Sequence, residues 1–466
     1  METIVTEIME ILKGSNNTIL REENLMRYFS ALFSDLVAKA LENIDQELYY
    51  KYKERGYLSQ RKDVRTVQSL SGAITYKRRL MKNGKGESCY PLDKELGWNK
   101  SQRYTPLMTR RIAEIASKSV YRATANAVNL LTPVSISHEK VRSIVKTVGE
   151  SYAAWEAAQE ENTSEMGEAS VRRPEVLYIE GDGVCLRGGD GKKLEIHRLQ
   201  IYEGVEENGK RHRLRQASYF ADFNRRDVFD QAQQFLDKNY DLSRCLVLTN
   251  SDGGSGYEQS AFEELVSGCK RQEHFLDRYH VNRKVKERLN FVKKGLQDLL
   301  YKRLRAYDRD GIQTVLDTAL SVAETQEQEE AVRLLENYID RNWIYLAPRE
   351  KRSLEGCEGL GTCESNHRIY SYRMKRQGRC WSRQGGLAMV KLITGLKNNK
   401  LEDAMLTTFK GYNKKISRCF GSAVRMALKK SKFTPHSGVH NGWIANYGSS
   451  SGAIGRLVKC YSQCNY

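Results

Sequence analysis

Three acidic residues stand in settings where a carboxylate can do chemistry. Asp182 follows an apolar run in Ile179-Glu180-Gly181-Asp182-Gly183, and Asp252 follows another in Thr249-Asn250-Ser251-Asp252-Gly253-Gly254. In open α/β sheets functional groups gather at strand ends, where loops can present them. Flanking glycines let the backbone turn and let a bulky substrate approach. Two carboxylates from neighbouring strand ends can hold hard, oxygen-preferring cations such as Mg²⁺ or Mn²⁺. An Asp-Gly after a strand is also an ordinary turn; the pair in matching contexts is what points to a site. The third acid is Glu364, in Gly361-Thr362-Cys363-Glu364-Ser365-Asn366-His367-Arg368, opening a helical stretch that runs through Arg373, Lys375 and Arg376 towards Trp381. Arg368 falls one turn after Glu364, so one face can carry a metal ligand and a phosphate contact. The alternative for Glu364 is a helix-start carboxylate favoured by the macrodipole.

These residues need elements to position them. Beyond Pro174 the pattern reads strand (Val176-Leu177-Tyr178-Ile179), strand (Leu194 to Tyr202), strand (Ala217 to Phe220), helix (Asn224 to Lys238), strand (Cys245 to Thr249), helix (Glu258 to Val266) and strand (His274 to Leu276). That order predicts a mixed sheet flanked by helices, an α/β fold. Glu180 shares a side with Asp182 if the first strand continues, and is assigned a supporting role. From Val281 to Tyr345 the chain is a charged helical block, and helix signals resume after Cys363.

Upstream, residues 1–60 read as helical, with Ile4, Ile8, Ile11 and Leu12 on one face and a second amphipathic run from Glu22 to Tyr52. Val64 to Leu80 alternates around Ser71-Gly72, a hairpin signal, with a second turn at Asn83-Gly84. Its outgoing arm, Tyr76-Lys77-Arg78-Arg79, is a basic strand end suited to phosphates. Three helices are predicted between Pro106 and Trp155; the pair around Thr132-Pro133-Val134-Ser135 is either a helix-turn-helix or an ordinary pair packed on a core. The predicted divisions are 1–60, 61–155, a linker at 156–173, a core at 174–280 and 353–410, a helical insertion at 281–352, and a basic, Gly/Ser-rich tail at 411–466.

Composition bounds the partner. Lys and Arg number 76 against 58 acidic residues, a net charge of +18, which argues for a polyanion, usually nucleic acid. No stretch approaches the roughly 20 apolar residues of a membrane span. The start, Met-Glu-Thr-Ile-Val-Thr-Glu, is acidic where an export signal is basic. The ten cysteines form no Cys-x-x-Cys pair, so neither a zinc ribbon nor a disulfide framework is suggested. A reduced cytosol, with association to the nucleoid, is the expected setting.

The ordered set of Ile179-Glu180-Gly181-Asp182-Gly183-Val184, the Asp252-Gly253 strand end, Asp277-Arg278-Tyr279-His280, and Gly361-Thr362-Cys363-Glu364 ending near Trp381-Ser382 resembles bacterial insertion-sequence transposases of the ISLre type, related to the Mutator-like group. The resemblance extends to about residue 405. It implies a ribonuclease H-like mixed-sheet core with an all-helical insertion, preceded by a helical and β-hairpin DNA-binding region. It also implies Asp182, Asp252 and Glu364 as a catalytic, metal-binding DDE triad using two Mg²⁺ (or Mn²⁺) ions to cleave and join DNA. The separations, 252 − 182 = 70 and 364 − 252 = 112, leave room for the insertion before the Glu. Asp277-x-x-His280 resembles the (Cys/Asp)-x-x-His signature of the wider group. A zinc site there needs two further ligands; a DNA contact, the orienting of a neighbouring carboxylate, or a hydrogen-bonded strand-to-helix junction are the other readings. Arg368 and Trp381 are further accessory candidates. Expected DNA contacts are Lys77, Arg78 and Arg79 in the hairpin, Arg283, Lys284, Lys286 and Arg288 in the insertion (with Lys293 and Lys294), and Lys375 and Arg376 after the Glu. Charged helix faces of this kind are also often simply solvated. The partners implied are the element's terminal inverted repeats, target DNA and a second copy of the chain. Another two-metal nuclease, or a DNA-binding protein without catalysis, are the competing functions.

Overall fold

The computed structural model describes residues 2–161, 171–209, 211–354, 357, 360–376 and 378–407. The expected tail, 411–466, lies outside them. Helix α1 (Glu2–Lys13) leads to the long α2 (Thr18–Glu54), capped by Asn17, whose side chain accepts from the Ile19 and Leu20 amides. Strands β1 (Leu58–Ser69) and β2 (Gly72–Lys82) form the expected hairpin, with Val67 opposite Ile74. A short β3 (Ser88–Cys89) pairs with β2 after the second turn, and α3 (Pro91–Glu95) closes the unit. Its core is Leu41, Leu48, Val67, Ile74, Tyr76 and Leu92.

The basic arm of this hairpin differs from expectation. Arg78 and Arg79 are buried, because alternation breaks and both pack inward. Arg78 pairs with Asp93, which also holds Arg65 at 2.8 Å; Arg79 pairs with Asp45 of α2 at 2.8 Å. They are interior ion pairs tying hairpin to helices, and only Lys77 of the three is exposed.

Next come α4 (Pro106–Ala116), α5 (Tyr121–Leu131) and α6 (His138–Glu161). They share one apolar core with α15 (Arg368–Met374), α16 (Arg383–Lys397), α17 (Leu401–Thr407) and the sheet described below, so the ordinary pair packed on a core is what the α5–α6 segment forms. Helix α6 also runs into the stretch expected as a linker: Glu156 is clamped to Lys391 at 2.8 Å. Of the rest of that stretch, 162–170 lies outside the described residues, and Arg172 pairs with Glu203 at 2.8 Å.

The sheet is built from β4 (Val176–Arg187), β5 (Lys193–Tyr202), β8 (Ser218–Asp222), β9 (Leu246–Ser251) and β10 (Arg271–Leu276), with a separate hairpin of β6 (Gly204–Asn208) and β7 (Arg211–Arg215) between β5 and β8. Its order is β10-β9-β4-β5-β8. The β4–β5 and β5–β8 pairs are antiparallel; β4–β9 and β9–β10 are parallel. The mixed α/β architecture expected from the sequence is thus present. Numbered by appearance within the sheet, the strands lie third, second, first, fourth, fifth.

One face packs on α7 (Arg225–Asn239) and α8 (Gln259–Leu265) through Leu177, Ile179, Leu199, Val247, Val228 and Phe262. Gly181 is needed there: a Cβ would come within 2.7 Å of Leu199 and 3.0 Å of Tyr257. After β10 the chain leaves the sheet for α9 (Arg278–Arg288), α10 (Lys294–Ala306), α11 (Arg309–Ser321), α12 (Gln326–Arg341) and α13 (Trp343–Leu346), an all-helical insertion with its own core. It then returns as α14 (Thr362–Asn366), α15 (Arg368–Met374), α16 (Arg383–Lys397) and α17 (Leu401–Thr407) across the other face. Helices α6 and α16 cross so closely that a Cβ at Gly149 would lie 2.1 Å from the Ala388 carbonyl oxygen. Among the described residues no helix is long and apolar enough to cross a membrane.

Candidate functional site

Side chains alternate along β4, so Tyr178, Glu180, Asp182, Val184 and Leu186 share the face covered by the returning helices. The ends of that face are apolar: Tyr178, Tyr202 and Leu248 lie under Leu354, and Val184, Leu186 and Ile196 lie under α6 and α16. Between them runs a buried polar strip of Glu180, Asp182, Arg198 and Gln200. Desolvating such groups is costly unless each is partnered, so the strip marks a place where packing has yielded to polar organisation.

Strand pairing places the acids. Glu180 is level with Asn250 in the last pair of the parallel β4–β9 ladder, and Asp182 and Asp252 each follow that pair by two residues. Ser251 is level with Leu276 on β10, which sets Asp252 beside Asp277. Neighbouring strands lie about 4.8 Å apart. Asp252 and Asp277 directly follow the ends of β9 and β10, whereas Asp182 lies within β4, which continues past the expected strand end to Arg187 because it stays paired to β5. The chain turns away at Gly253, with φ at +66°, and the Gly254 amide donates to Asp252 Oδ1 at 2.8 Å.

Two imidazoles face Asp182. His367 Nε2 lies 2.8 Å and His280 Nε2 3.5 Å from its Oδ2, while the Gly183 amide donates to its Oδ1 at 2.6 Å. Burial pushes the Asp182 carboxyl up, but the contacts with His280 and His367 outweigh it and hold the group well below the usual carboxylate range. His280 is raised in turn, mainly by its contact with Asp182 and against its own burial, with Asp277 and Asp252 adding to the rise. Tyr257 donates to the Asp182 carbonyl at 3.1 Å and fixes the strand end from the opposite face.

Glu180 is the anchor for the returning segment. It is fully buried and accepts from the Cys363 amide at 2.7 Å, the Thr362 amide at 3.3 Å, the Thr362 hydroxyl at 3.0 Å and the Tyr202 hydroxyl at 2.5 Å. Burial pushes its carboxyl up, and those bonds offset part of the rise. A carboxylate receiving the first amides of a helix satisfies donors that the helix itself cannot. Gln200 adds a bond to the Thr362 hydroxyl at 2.6 Å and accepts from Asn366 at 3.1 Å. The start of α14, and the backbone of Glu364 with it, is thereby fixed over β4. The Glu364 side chain lies outside the described residues.

Two donor sets meet here. Asp182 and Asp252 offer hard oxygens suited to Mg²⁺ or Mn²⁺. Asp182, Cys363 and His367 also have ligand atoms within 4.8 Å of one another. Burial pushes the Cys363 thiol up, and the two carboxylates are the donors that a hard cation such as Mg²⁺ prefers over sulfur.

The other expected residues divide. Asp277 caps α9, accepting from the Tyr279 amide at 2.9 Å, and so forms a hydrogen-bonded strand-to-helix junction; that cap aims His280 back at Asp182. Trp381 is buried, and its indole N–H donates to the Met374 carbonyl at 2.9 Å, so it is a packing residue rather than part of the site. Its backbone continues the sheet beside β4, exchanging bonds with Arg187 and Gly189. Arg368, Lys375 and Arg376 are exposed, with Arg368 over the Tyr372 ring. Arg283, Lys286 and Arg288 are exposed on α9, Arg283 paired to Glu287 at 2.7 Å; Lys284 is half-buried over Tyr338. Sequence reasoning missed His367, although Glu-x-x-His spacing puts it one helical turn after Glu364 and so on the same face.

Comparison with known proteins gives a consistent picture. The model of an uncharacterised protein family, UPF0236, matches residues 15–405. The chain is 35% identical over 464 residues to the UPF0236 protein in the vanSb 3′ region of Streptococcus gallolyticus, covering 98% of this chain and 99% of that one. It is 24% identical to UPF0236 protein TTE2489 of Caldanaerobacter subterraneus subsp. tengcongensis, covering 95% and 93%. A further protein of that organism, 23% identical with 95% and 92% covered, carries eleven locus designations in its name, from TTE0033 to TTE2212.

Proposed function

The chain belongs to the UPF0236 family, and we propose that it is a DDE-type transposase, which cuts and joins DNA with divalent metal ions. The observation that carries this reading is that Asp182 and Asp252 each stand two residues beyond the last pair of the parallel β4–β9 ladder, near a helix that bears Glu364 and is held at its start by Glu180. Three supports accompany it. The third-second-first-fourth-fifth strand order, with the second strand antiparallel to its neighbours, is that of ribonuclease H-like cores. The helical insertion between the fifth strand and the Glu helix fits the same plan. A relative whose name carries eleven locus designations is what a self-copying element produces in one genome.

When bound, a pair of Mg²⁺ or Mn²⁺ ions supplies positive charge to the attacking and leaving oxygens of the phosphodiester. The protein's part is positioning. Asp182 stands on β4, Asp252 directly follows β9, and α14 carries the backbone of Glu364. His280 and His367 keep the Asp182 carboxylate ionised and oriented. Glu180 holds α14 at its distance from β4. Water is the first nucleophile, and the freed 3′-hydroxyl attacks target DNA next.

Two element ends must meet for joining, so the active form is a dimer. Ile19, Met26 and Phe33 on α2 recur every seven residues, with Phe29 and Leu36 three residues after two of them, and all five are exposed. Such a stripe is what a coiled-coil-like pairing of two copies buries. The test of function is incubation with DNA carrying the gene's own flanking inverted repeats beside a scrambled control. A nick at the repeat boundary followed by joined products supports a transposase; cutting of both DNAs alike, without joining, identifies another nuclease.

A further inference from the structure

We propose that the seam between the helical insertion and the sheet is a binding subsite for a DNA phosphodiester, clamped by Lys284, Arg288 and Arg341. This rests on the DNA-cleaving reading and specifies how the substrate strand is held. Two adjoining cavities, of about 540 and 300 Å³, share Lys284 and Arg341 in their linings. The larger begins at Gly253 and Gly254, immediately after Asp252, and is closed by His274 and Tyr345. The smaller lies between α9 and α12 and is closed by Arg288 and Tyr338.

The larger cavity also carries Glu258, whose carboxylate accepts from the Gly256 amide at 2.7 Å, so the cations are what remain for an anion. Among the described residues Lys284, Arg288 and Arg341 make no ion pair, whereas their neighbours Arg283 and Arg309 do, with Glu287 and Asp340. Lys284 is half-buried, with its ammonium 3.9 Å from the centre of the Tyr338 ring, a contact that fixes a flexible side chain in place. Burial lowers its pKa, and Arg341 and Arg288 lower it further; Asp252 and Glu287 act the other way, but Glu287 is committed to Arg283. Arg288 and Arg341 are exposed at the rim around half-buried Lys284; like charges so placed repel, and an anionic oxygen between them reverses the sign. Because the seam opens beside Asp252, a phosphodiester seated there belongs to the strand that also crosses the carboxylates. Lys284 and Arg288 lie one turn apart on α9 and Arg341 ends α12, so the clamp assembles only when both helices pack as they do here.

The test uses the full chain and a duplex of the gene's own terminal repeat in metal-free buffer, with binding followed by fluorescence anisotropy across a salt series. Lys284→Ala and Arg341→Ala should each weaken binding and reduce the slope of log Kd against log salt by about 1, as loss of a phosphate contact does. Lys302→Ala, an exposed cation elsewhere in the insertion, should leave the slope unchanged, and Lys284→Arg should retain it. Circular dichroism melts confirm that each variant folds. A single uncharged methylphosphonate stepped along the cleaved strand should weaken wild-type binding at one position beside the nick and leave the Lys284→Ala/Arg341→Ala double variant indifferent there. If wild type nicks the repeat but its salt slope and methylphosphonate profile match those of the double variant, the seam assignment is wrong while the enzyme reading survives. If wild type neither binds nor nicks the repeat, both fall together.

Discussion

Glu180 shows how a single residue can govern a site that it does not line. It accepts the first amides of α14, and its replacement by Ala would leave those buried donors without a partner, costing about 1–3 kcal/mol for each unsatisfied group. The expected result is loss of DNA cleavage with repeat binding retained, and partial recovery in Glu180→Gln, whose amide oxygen can still accept; anisotropy and nicking assays on the same preparations would show it. Unchanged nicking by Glu180→Ala would remove Glu180 from this role. His274 makes a second prediction. Burial, reinforced by the charge of Arg352, lowers its pKa to about 4 from the ordinary 6.5, and its ring is held by Thr249 and Ser251. The unfolded chain therefore binds a proton more readily than the folded one between those values, so stability falls as pH drops through that window, by about 3 kcal/mol at most. His274→Gln should flatten urea-derived stability between pH 6.5 and 4, and a curve as steep as wild type's would contradict the assignment. Asp182 and Asp252 were legible because each follows an apolar run and precedes a glycine; that β4 continues through Asp182 to Arg187 was not, since this depends on pairing with β5. His367 was hidden for the same reason: only the docking of α14 brings it to 2.8 Å from Asp182.

At the scale of elements, the order of strands and helices from Val176 to Leu276 could be read from apolar runs, and the insertion from its long charged helical texture. The hairpin was readable too, but not its electrostatics. Tyr76-Lys77-Arg78-Arg79 looks like a basic strand end, yet α2 and α3 bring Asp45 and Asp93 over it and convert Arg78 and Arg79 into interior pairs. Removing one partner of a buried pair leaves an uncompensated charge, so Asp45→Ala should destabilise the protein by about 3–5 kcal/mol in chemical denaturation. A loss below about 1 kcal/mol would mean that Arg79 reaches solvent and remains available to DNA. The same tertiary effect explains α4, α5 and α6. Their periodicity was plain, but the surface they bury against, α16 and the far half of β4 and β5, is supplied by residues more than a hundred positions away in α16.

For the molecule as a whole, charge pointed to a polyanion, while a second copy was expected from the reaction alone and the stripe on α2 emerges from its exposure in the fold. Ile19 and Met26 are 72% and 63% exposed, more than a monomer's long helix needs to leave in water. The wild type should sediment as a dimer, and Phe29→Asp/Phe33→Asp as a folded monomer that nicks single ends but yields no joined products. A monomeric wild type with full joining activity would contradict that reading. The central claim is that Asp182 and Asp252 form one metal-dependent centre for cutting DNA. It is tested most directly by incubating end-labelled DNA of the gene's flanking repeats with wild type, Asp182→Asn and Asp252→Asn in Mg²⁺, Mn²⁺ or EDTA, with binding measured in parallel. The account predicts nicking at the repeat boundary by wild type with either metal and none in EDTA. It also predicts a loss of about 100- to 1000-fold in each variant at unchanged affinity, since removal of a charge-stabilising group at the reacting centre costs that order of rate. Cutting by either variant at the wild-type rate, or by wild type in EDTA, would contradict it.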